Sequence, residues 1–373
     1  MAGQIIKRGE NRWLVRIFLG RDAQGKRRYF NKTIRGTKKN AQTYLTGALR
    51  RLDLGEPIEQ TDQSFSDFLK QWLQVTEQRV KPRTLEIYQD IAERFLKPAL
   101  GKHKLANVGA ADIQKLYANL AERGLSGKTI ALIHAVLTHC FRRALKWDLI
   151  RRNPMVAVDP PRIERREMKS LTAEQARAFL QAADEGLHGC LLAFLLATGC
   201  RPSEALALKW SDVNLSSGSV TIQRNLTRLI GGKWVFSDPK TARGRRTIPL
   251  AGGMLKRLSE HRRRQNEARL KAGSEWQNHD LVFCSPFGEP NGEGLIRHAF
   301  LKAIKRAKLP AHFRPYDLRH SAASLLIAAG LSPKAVSERL GHAHIAITLE
   351  VYSHTLPGVQ EQASERLEKL LFG

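Results

Sequence analysis

Five side chains in this 373-residue chain are of types that could together act on a phosphodiester: Arg201 in TGCRPSE, Lys240 in PKTARGRRTIPL, Arg319 in PYDLRHSAAS, and His342 and Tyr352 in LGHAHIAITLEVYSH. Two guanidinium groups can fork onto the non-bridging oxygens of one phosphate, a bidentate geometry that a lysine ammonium does not offer. Charge grows on those oxygens during attack at phosphorus, so preorganised cations there lower the barrier most where it is highest. A tyrosine hydroxyl can be the covalent nucleophile, exchanging one phosphate ester for another of similar energy, which removes any need for ATP. Lys240 would protonate the departing oxygen, and His342 would hold the phosphate or assist proton movement. Taken singly, each has a duller explanation, Arg201 as a surface arginine and Tyr352 as a half-buried aromatic; the chemistry lies in the set.

Each of these residues falls at the expected end of an element. Leu187 to Thr198 reads as a buried helix that stops at Gly199, two residues before Arg201. Strand-like runs at 219–223, 233–237 and 245–250 leave Lys240 in a turn between two of them. Arg319 opens a helix over about 317–329, and His342 follows the Leu340-Gly341 end of a helix over 333–340. Further helices are expected after the Thr172/Gln175 capping box and near 253–271, 293–307 and 358–371.

The charge balance points to the partner. The chain carries 62 Lys and Arg against 35 Asp and Glu, a formal net charge of +27, and so suits a polyanion. The excess runs along the whole chain and is densest at the start, where residues 1–60 hold 14 basic and 5 acidic side chains. A membrane-surface protein concentrates such charge in one amphipathic helix, so nucleic acid fits better. With 42% hydrophobic and 26% charged residues the composition is that of a globular protein rather than a disordered one. The apolar run Cys190 to Ala197 is too short to span a bilayer, and the charged first 16 residues leave no signal-peptide core. The expected location is therefore the cytoplasm.

Several chemistries are disfavoured. Cys140, Cys190, Cys200 and Cys284 show no CxxC spacing and read as reduced, buried small hydrophobes. GLSGKT at 124–129 lacks the glycine and upstream strand of a phosphate-binding loop, and Ser126 reads instead as a helix N-cap. His342, His344 and His354 have no carboxylate or thiolate partner to complete a zinc site. No metal and no cofactor are expected.

Towards the N-terminus, residues 12–20 and 27–34 read as strands joined by a turn, followed by a helix over 38–54 that Gly55 and Pro57 stop. After a linker come four helices, at about 65–78, 83–97, 110–122 and 127–149. The Pro154 to Lys169 stretch, rich in proline and charge, reads as a second linker. The expected fold class is mainly α with small β-sheets (α+β), in three domains at 1–58, 62–152 and 165–373.

In order and context, these four motifs resemble the tyrosine recombinase (phage integrase) family, and the resemblance covers nearly the whole chain. Residues 64–154, with Gly101, Leu125-Ser126, Thr129 and Asn153-Pro154, look like the family's helical core-type DNA-binding domain. Residues 1–55 look like the arm-binding domain of integrases from phages and conjugative transposons. The resemblance implies a site-specific recombinase that cuts and rejoins DNA through a covalent 3′-phosphotyrosine, without metal or ATP. It assigns Arg201 and Arg319 to a phosphate clamp, Lys240 to leaving-group protonation, His342 to phosphate contact and Tyr352 to attack. It also implies double-stranded DNA with core and arm sites as partner, a homotetramer on that DNA, DNA-bending and directionality factors, and a place at the bacterial nucleoid. Glu204 matches a family carboxylate that supports the first arginine, and reads equally as a helix-terminal charge.

One position departs from the family pattern. Its second motif usually begins with histidine, where this chain has Tyr316. A phenol with a pKa near 10 can donate a hydrogen bond to phosphate but is a poor base at neutral pH. Tyr316 is therefore expected only to hydrogen-bond, and His320 either stands in for the missing base or packs within the domain. The last helix presents Leu367, Leu370, Leu371 and Phe372, which would dock on a neighbouring protomer or pack on their own domain.

Overall fold

The computed structural model describes residues 3–22, 24–54, 62–163, 169–239, 244–342 and 367–372, with isolated positions at 345, 349 and 364. Lys240 and Tyr352 lie outside the described residues, as do His344, His354 and most of the helix expected over 358–371. By its internal contacts the chain divides into two units, Met1–Arg165 and Arg166–Gly373. The division falls inside the proline-rich second linker.

The first unit holds two separate hydrophobic clusters. The smaller one belongs to an antiparallel meander of β1 (Gly3–Gly9), β2 (Arg12–Arg21) and β3 (Arg27–Arg35), covered by α1 (Lys38–Asp53). Strand alternation sends Val15 and Ile17 of β2 to one face, against Ala41, Leu45 and Ala48 of α1. β1 was not expected from the sequence: among its glycines and charged residues only Ile5 and Ile6 are strongly apolar, too few to show an alternation. On the sheet face away from α1, the Arg16 guanidinium sits 4.1 Å from the Tyr29 ring centroid and Phe18 packs on the same ring.

The larger cluster is helical: α2 (Phe65–Glu77), α3 (Pro82–Ile91), α4 (Lys97–Leu100), α5 (Ala110–Glu122) and α6 (Gly127–Lys146). Trp72, Phe65, Phe68 and Phe141 fill it. Ser64 and Ser126 cap α2 and α6 by accepting from the backbone N–H groups of Asp67 and Thr129, as expected for Ser126. The helix begun at Pro82 does not stop at Pro98. A π turn over Ala92–Leu96 just before the proline accommodates the hydrogen bond that Pro98 cannot donate, and the chain stays helical to Leu100.

The second unit is built around α8 (Gly189–Thr198), whose side chains are buried on nearly every side, as an all-apolar helix must be. Before it runs α7 (Ala173–Asp184), opened by the Thr172/Gln175 capping box; after it comes the short α9 (Pro202–Leu206). β4 (Val213–Asn214), β5 (Ser219–Ile222) and β8 (Arg246–Pro249) make a three-stranded antiparallel sheet, and β6 (Asn225–Arg228) pairs with β7 (Trp234–Ser237) as a separate ribbon. Both strands flanking Lys240 in sequence exist, but they belong to different sheets. α10 (Gly252–Ala272), α11 (Glu293–Arg306), α12 (Asp317–Ala328) and α13 (Pro333–Leu340) follow. The result is an α+β fold, mainly helical with small antiparallel sheets. No helix among the described residues is long and apolar enough to cross a membrane.

Candidate active site

Two helix C-termini build the centre of the site. α8 ends at Gly199 in the left-handed region (φ 64°), and a Cβ there would clash with the Leu340 side chain and press against Ala322. Only glycine meets both demands at once. α13 ends in a Schellman motif: Gly341 (φ 68°) donates its N–H to the Glu338 carbonyl, and His342 donates its N–H to the Ser337 carbonyl at 3.0 Å. The Leu-Gly-His order of the sequence therefore fixes where His342 leaves its helix.

Arg319, in the first turn of α12, is only 2% exposed and lies between these two ends. Its Nη1 donates to the Gly199 carbonyl at 2.7 Å and its Nη2 to the Leu340 carbonyl at 2.8 Å. Carbonyls at helix C-termini carry partial negative charge, so they compensate a buried cation without neutralising it. Burial, and then the charge of Arg201, lowers the Arg319 pKa to about 10, which leaves it cationic at neutral pH.

Arg201 sits at the N-cap of α9. Its backbone N–H donates to Glu204 Oε2 at 2.9 Å and its guanidinium Nη1 to Glu204 Oε1 at 2.8 Å, while its side chain stays about a third exposed. Glu204 is 1% exposed and also accepts from Arg246 Nη2 at 2.8 Å. Burial raises the Glu204 pKa, but the hydrogen bond and charge of Arg246, and then the N–H and charge of Arg201, outweigh it and hold the group below its usual value. Glu204 meets both sequence readings: it caps the first turn of α9 through the Arg201 N–H and pairs with the Arg201 guanidinium.

His342 is buried beside these cations. Burial first, and then the charges of Arg319, Arg201, His320 and Arg246, push its pKa down to about 4. It is a neutral imidazole at physiological pH, with one N–H to give and little basicity to offer. Tyr316, 45% exposed, stands at the start of α12, and its ring meets the His320 ring edge-on one turn later, with centroids 5.2 Å apart. Burial also lowers the His320 pKa, though Asp317 opposes it.

The structure thus gathers Arg201, Glu204, Arg319 and His342 through shared partners, with Tyr316 and His320 on the adjoining helix turn. Two residues that bind this group together were missed in the sequence: Arg246 and Arg339. Strand alternation puts Arg246 on the same side of β8 as the buried Ile248, and a charge on the buried side of a four-residue strand was the available signal. Among the described residues no group of three or more His, Cys, Asp or Glu side chains is placed to hold a metal ion. The arrangement presents two fixed guanidinium groups and a neutral N–H donor at the meeting point of two helix ends, a chemistry suited to the charge that grows on the non-bridging oxygens as phosphorus becomes five-coordinate.

Residues 169–358 match the model of the phage integrase family, and residues 64–121 match that of its N-terminal SAM-like domain. An integrase of Streptomyces ambofaciens is 32% identical over 91% of this chain and 89% of its own length. A XerC-like tyrosine recombinase of Caldanaerobacter subterraneus is 28% identical over 98% of both chains. In fold, the chain is similar to the Tn1549 transposon integrase in complex with transposon right end DNA, with a TM-score of 0.69 and 23% identity over 82% of this chain and 99% of that one.

Proposed function

The chain belongs to the phage integrase family, and from that membership we propose how this site-specific recombinase of a mobile element cuts and rejoins its DNA. The observation that carries the proposal is the convergence of Arg201, Arg319 and neutral His342, each fixed by main-chain or carboxylate partners before any substrate arrives.

In this reading Arg201 and Arg319 grip the non-bridging oxygens of the scissile phosphate, and His342 donates an N–H to the same group. The Tyr352 oxygen attacks phosphorus, forming a 3′-phosphotyrosine as the bond to the 5′ oxygen breaks. Lys240 delivers the proton that makes this leaving group a 5′ hydroxyl. The reverse sequence, with a 5′ hydroxyl from a different strand, rejoins the DNA. Positive side chains carry the charge stabilisation, so the chemistry calls on no metal and no ATP. Glu204 orients Arg201, and Tyr316 contributes at most a hydrogen bond. His320 lies against the Tyr316 ring on the adjoining turn of α12, and burial makes it a weaker base than a free imidazole.

Double-stranded DNA is the partner. Residues 62–152 and 165–373 form the domains that hold the core site, and residues 1–58 form an arm-binding domain. The outward sheet face bearing Arg16, Phe18 and Tyr29 supports the arm-site reading, because basic and aromatic side chains on a rigid ribbon suit a DNA groove. Strand exchange takes place in a homotetramer at the nucleoid of a bacterial cell, aided by DNA-bending and directionality factors. Leu367, Leu370, Leu371 and Phe372, all exposed, suit docking on a neighbouring protomer.

The test is incubation with a nicked duplex carrying candidate core DNA in EDTA, followed by denaturing electrophoresis. A slow protein–DNA band that Tyr352→Phe abolishes supports the mechanism. Tight, salt-sensitive binding with no band on core DNA excised from the element's own junctions would overturn it.

A further inference from the structure

Arg246 is no part of the family's phosphate chemistry as set out above, yet among the described residues of the second unit it is the most heavily tethered cation. Its side chain is 7% exposed. Its Nε donates to the Arg339 carbonyl at 2.7 Å, its Nη1 to the Gly244 carbonyl at 3.0 Å, and its Nη2 to Glu204 Oε2 at 2.8 Å. Each nitrogen is spent on a different segment: the last turn of α13, the residues leading into β8, and α9. A side chain with all three nitrogens directed into the protein is poorly placed to grip a phosphate, so its contribution must pass through the groups it holds.

Those groups form a closed circuit. Arg201 binds Glu204, Glu204 binds Arg246, and Arg246 binds the carbonyl of Arg339. The next carbonyl along α13, that of Leu340, takes Arg319, which reaches back to Gly199, two residues before Arg201. Arg339 reinforces the same corner by donating from Nη2 to the Ala197 carbonyl at 3.1 Å. Without Arg246 the circuit opens between Glu204 and α13, the helix end that carries Leu340 and His342. Lysine could not close it, since one ammonium on a flexible stem does not reproduce three donors in a planar fork.

We infer that Arg246 is a positioning residue: through Glu204 and the Arg339 carbonyl it locks the Arg201 side of the phosphate clamp to the Arg319–His342 side. This rests on the reading of the site as a phosphodiester clamp. Errors of about 1 Å in such placements cost on the order of 100-fold in rate, so the link matters to the chemical step more than to DNA affinity, which many phosphate contacts share.

The experiment uses full-length wild type, Arg246→Gln, Arg246→Lys, Glu204→Gln and the Glu204→Gln/Arg246→Gln double variant. DNA affinity and the single-turnover rate of covalent adduct formation on a nicked core duplex are measured separately, with thermal melting as a check on folding. The expected result for both Arg246 variants is unchanged affinity with adduct formation about 10–100-fold slower, as a misplacement of up to about 1 Å would give. In the Glu204→Gln background the second substitution should cost almost nothing more, because the circuit is already open. A folded Arg246→Gln protein that cleaves at the wild-type rate overturns the inference, as do losses that simply multiply in the double variant. If Arg246→Gln does not fold, Arg246→Lys decides by the same rate criterion. Failure of the wild type itself to form an adduct strikes at the clamp reading instead, and is recognised by its independence of Arg246.

Discussion

The Arg319 guanidinium donates to the carbonyl of Gly199 at 2.7 Å, across 120 residues of chain. That bond ties the start of α12 to the end of α8, and with the Leu340 contact it sets a buried cation between two helix C-termini. Among the described residues the cation is hydrogen-bonded by oriented carbonyls and by no carboxylate, so it keeps its charge for an incoming phosphate.

Arg319→Lys should therefore fail although it preserves charge. One ammonium cannot donate to the two carbonyls and still present a fork to phosphate. Adduct formation is expected to fall by at least about 100-fold, comparable to the loss of an oxyanion donor. Single-turnover cleavage of a nicked duplex measures it, and a loss of less than fivefold would contradict the geometry.

Gly199→Ala tests the helix end itself. The residue has φ 64°, and its missing Cβ leaves room for Leu340 and Ala322. Left-handed strain plus the close contact should destabilise the protein by about 1–3 kcal/mol, read as a lower melting temperature. A melting temperature equal to that of wild type would mean the approach of α8 to Leu340 is looser than described.

His342 makes stability depend on acidity in a definite direction. Its pKa falls to about 4 in the folded protein, against about 6.5 for an unfolded chain. As pH drops through this window the unfolded chain takes up the proton first, so stability is lost between about pH 6.5 and 4. His134, His139, His188, His261 and His320 are shifted the same way. The useful comparison is thus between wild type and His342→Asn, whose melting temperature should fall less steeply with acid. Parallel slopes would show that His342 is not held neutral.

Tyr316→Phe separates a hydrogen bond from acid–base work. The side chain is half-exposed and its ring contacts His320. Loss of a hydrogen bond to phosphate should slow adduct formation by about tenfold or less, with no change in the pH dependence of the rate. A shifted pH profile would indicate that the phenol itself takes part in proton transfer.

Trimming the chain after Leu356 removes the exposed Leu367, Leu370, Leu371 and Phe372 while keeping Tyr352. Single-site DNA binding should survive and assembly of several protomers on DNA should weaken, as resolved by native electrophoresis. Unchanged assembly would assign these side chains to packing within their own chain.

Much of this protein follows from local rules that a sequence carries. The Thr172/Gln175 box, Ser126 as N-cap, Gly199 and Gly341 as helix stops, and the apolar run of α8 each act within a few residues, so element types and the order of the motifs are legible from the chain alone. β1 escaped because an edge strand with few apolar residues has no periodicity to read.

What joins the motifs is not local. Arg319 is held by main-chain carbonyls, which every residue possesses and which therefore leave no mark on residue type. Glu204 had two readings in the sequence because its second partner, Arg246, comes from a strand 42 residues on. The neutrality of His342 is a product of burial among charged groups from three separate segments, and depends on distances that only packing sets. The sequence determined which groups could do phosphoryl chemistry and at which element ends they stand. The tertiary structure decided how they are held, because hydrogen bonds to backbone and the desolvation of charge depend on what the fold brings near.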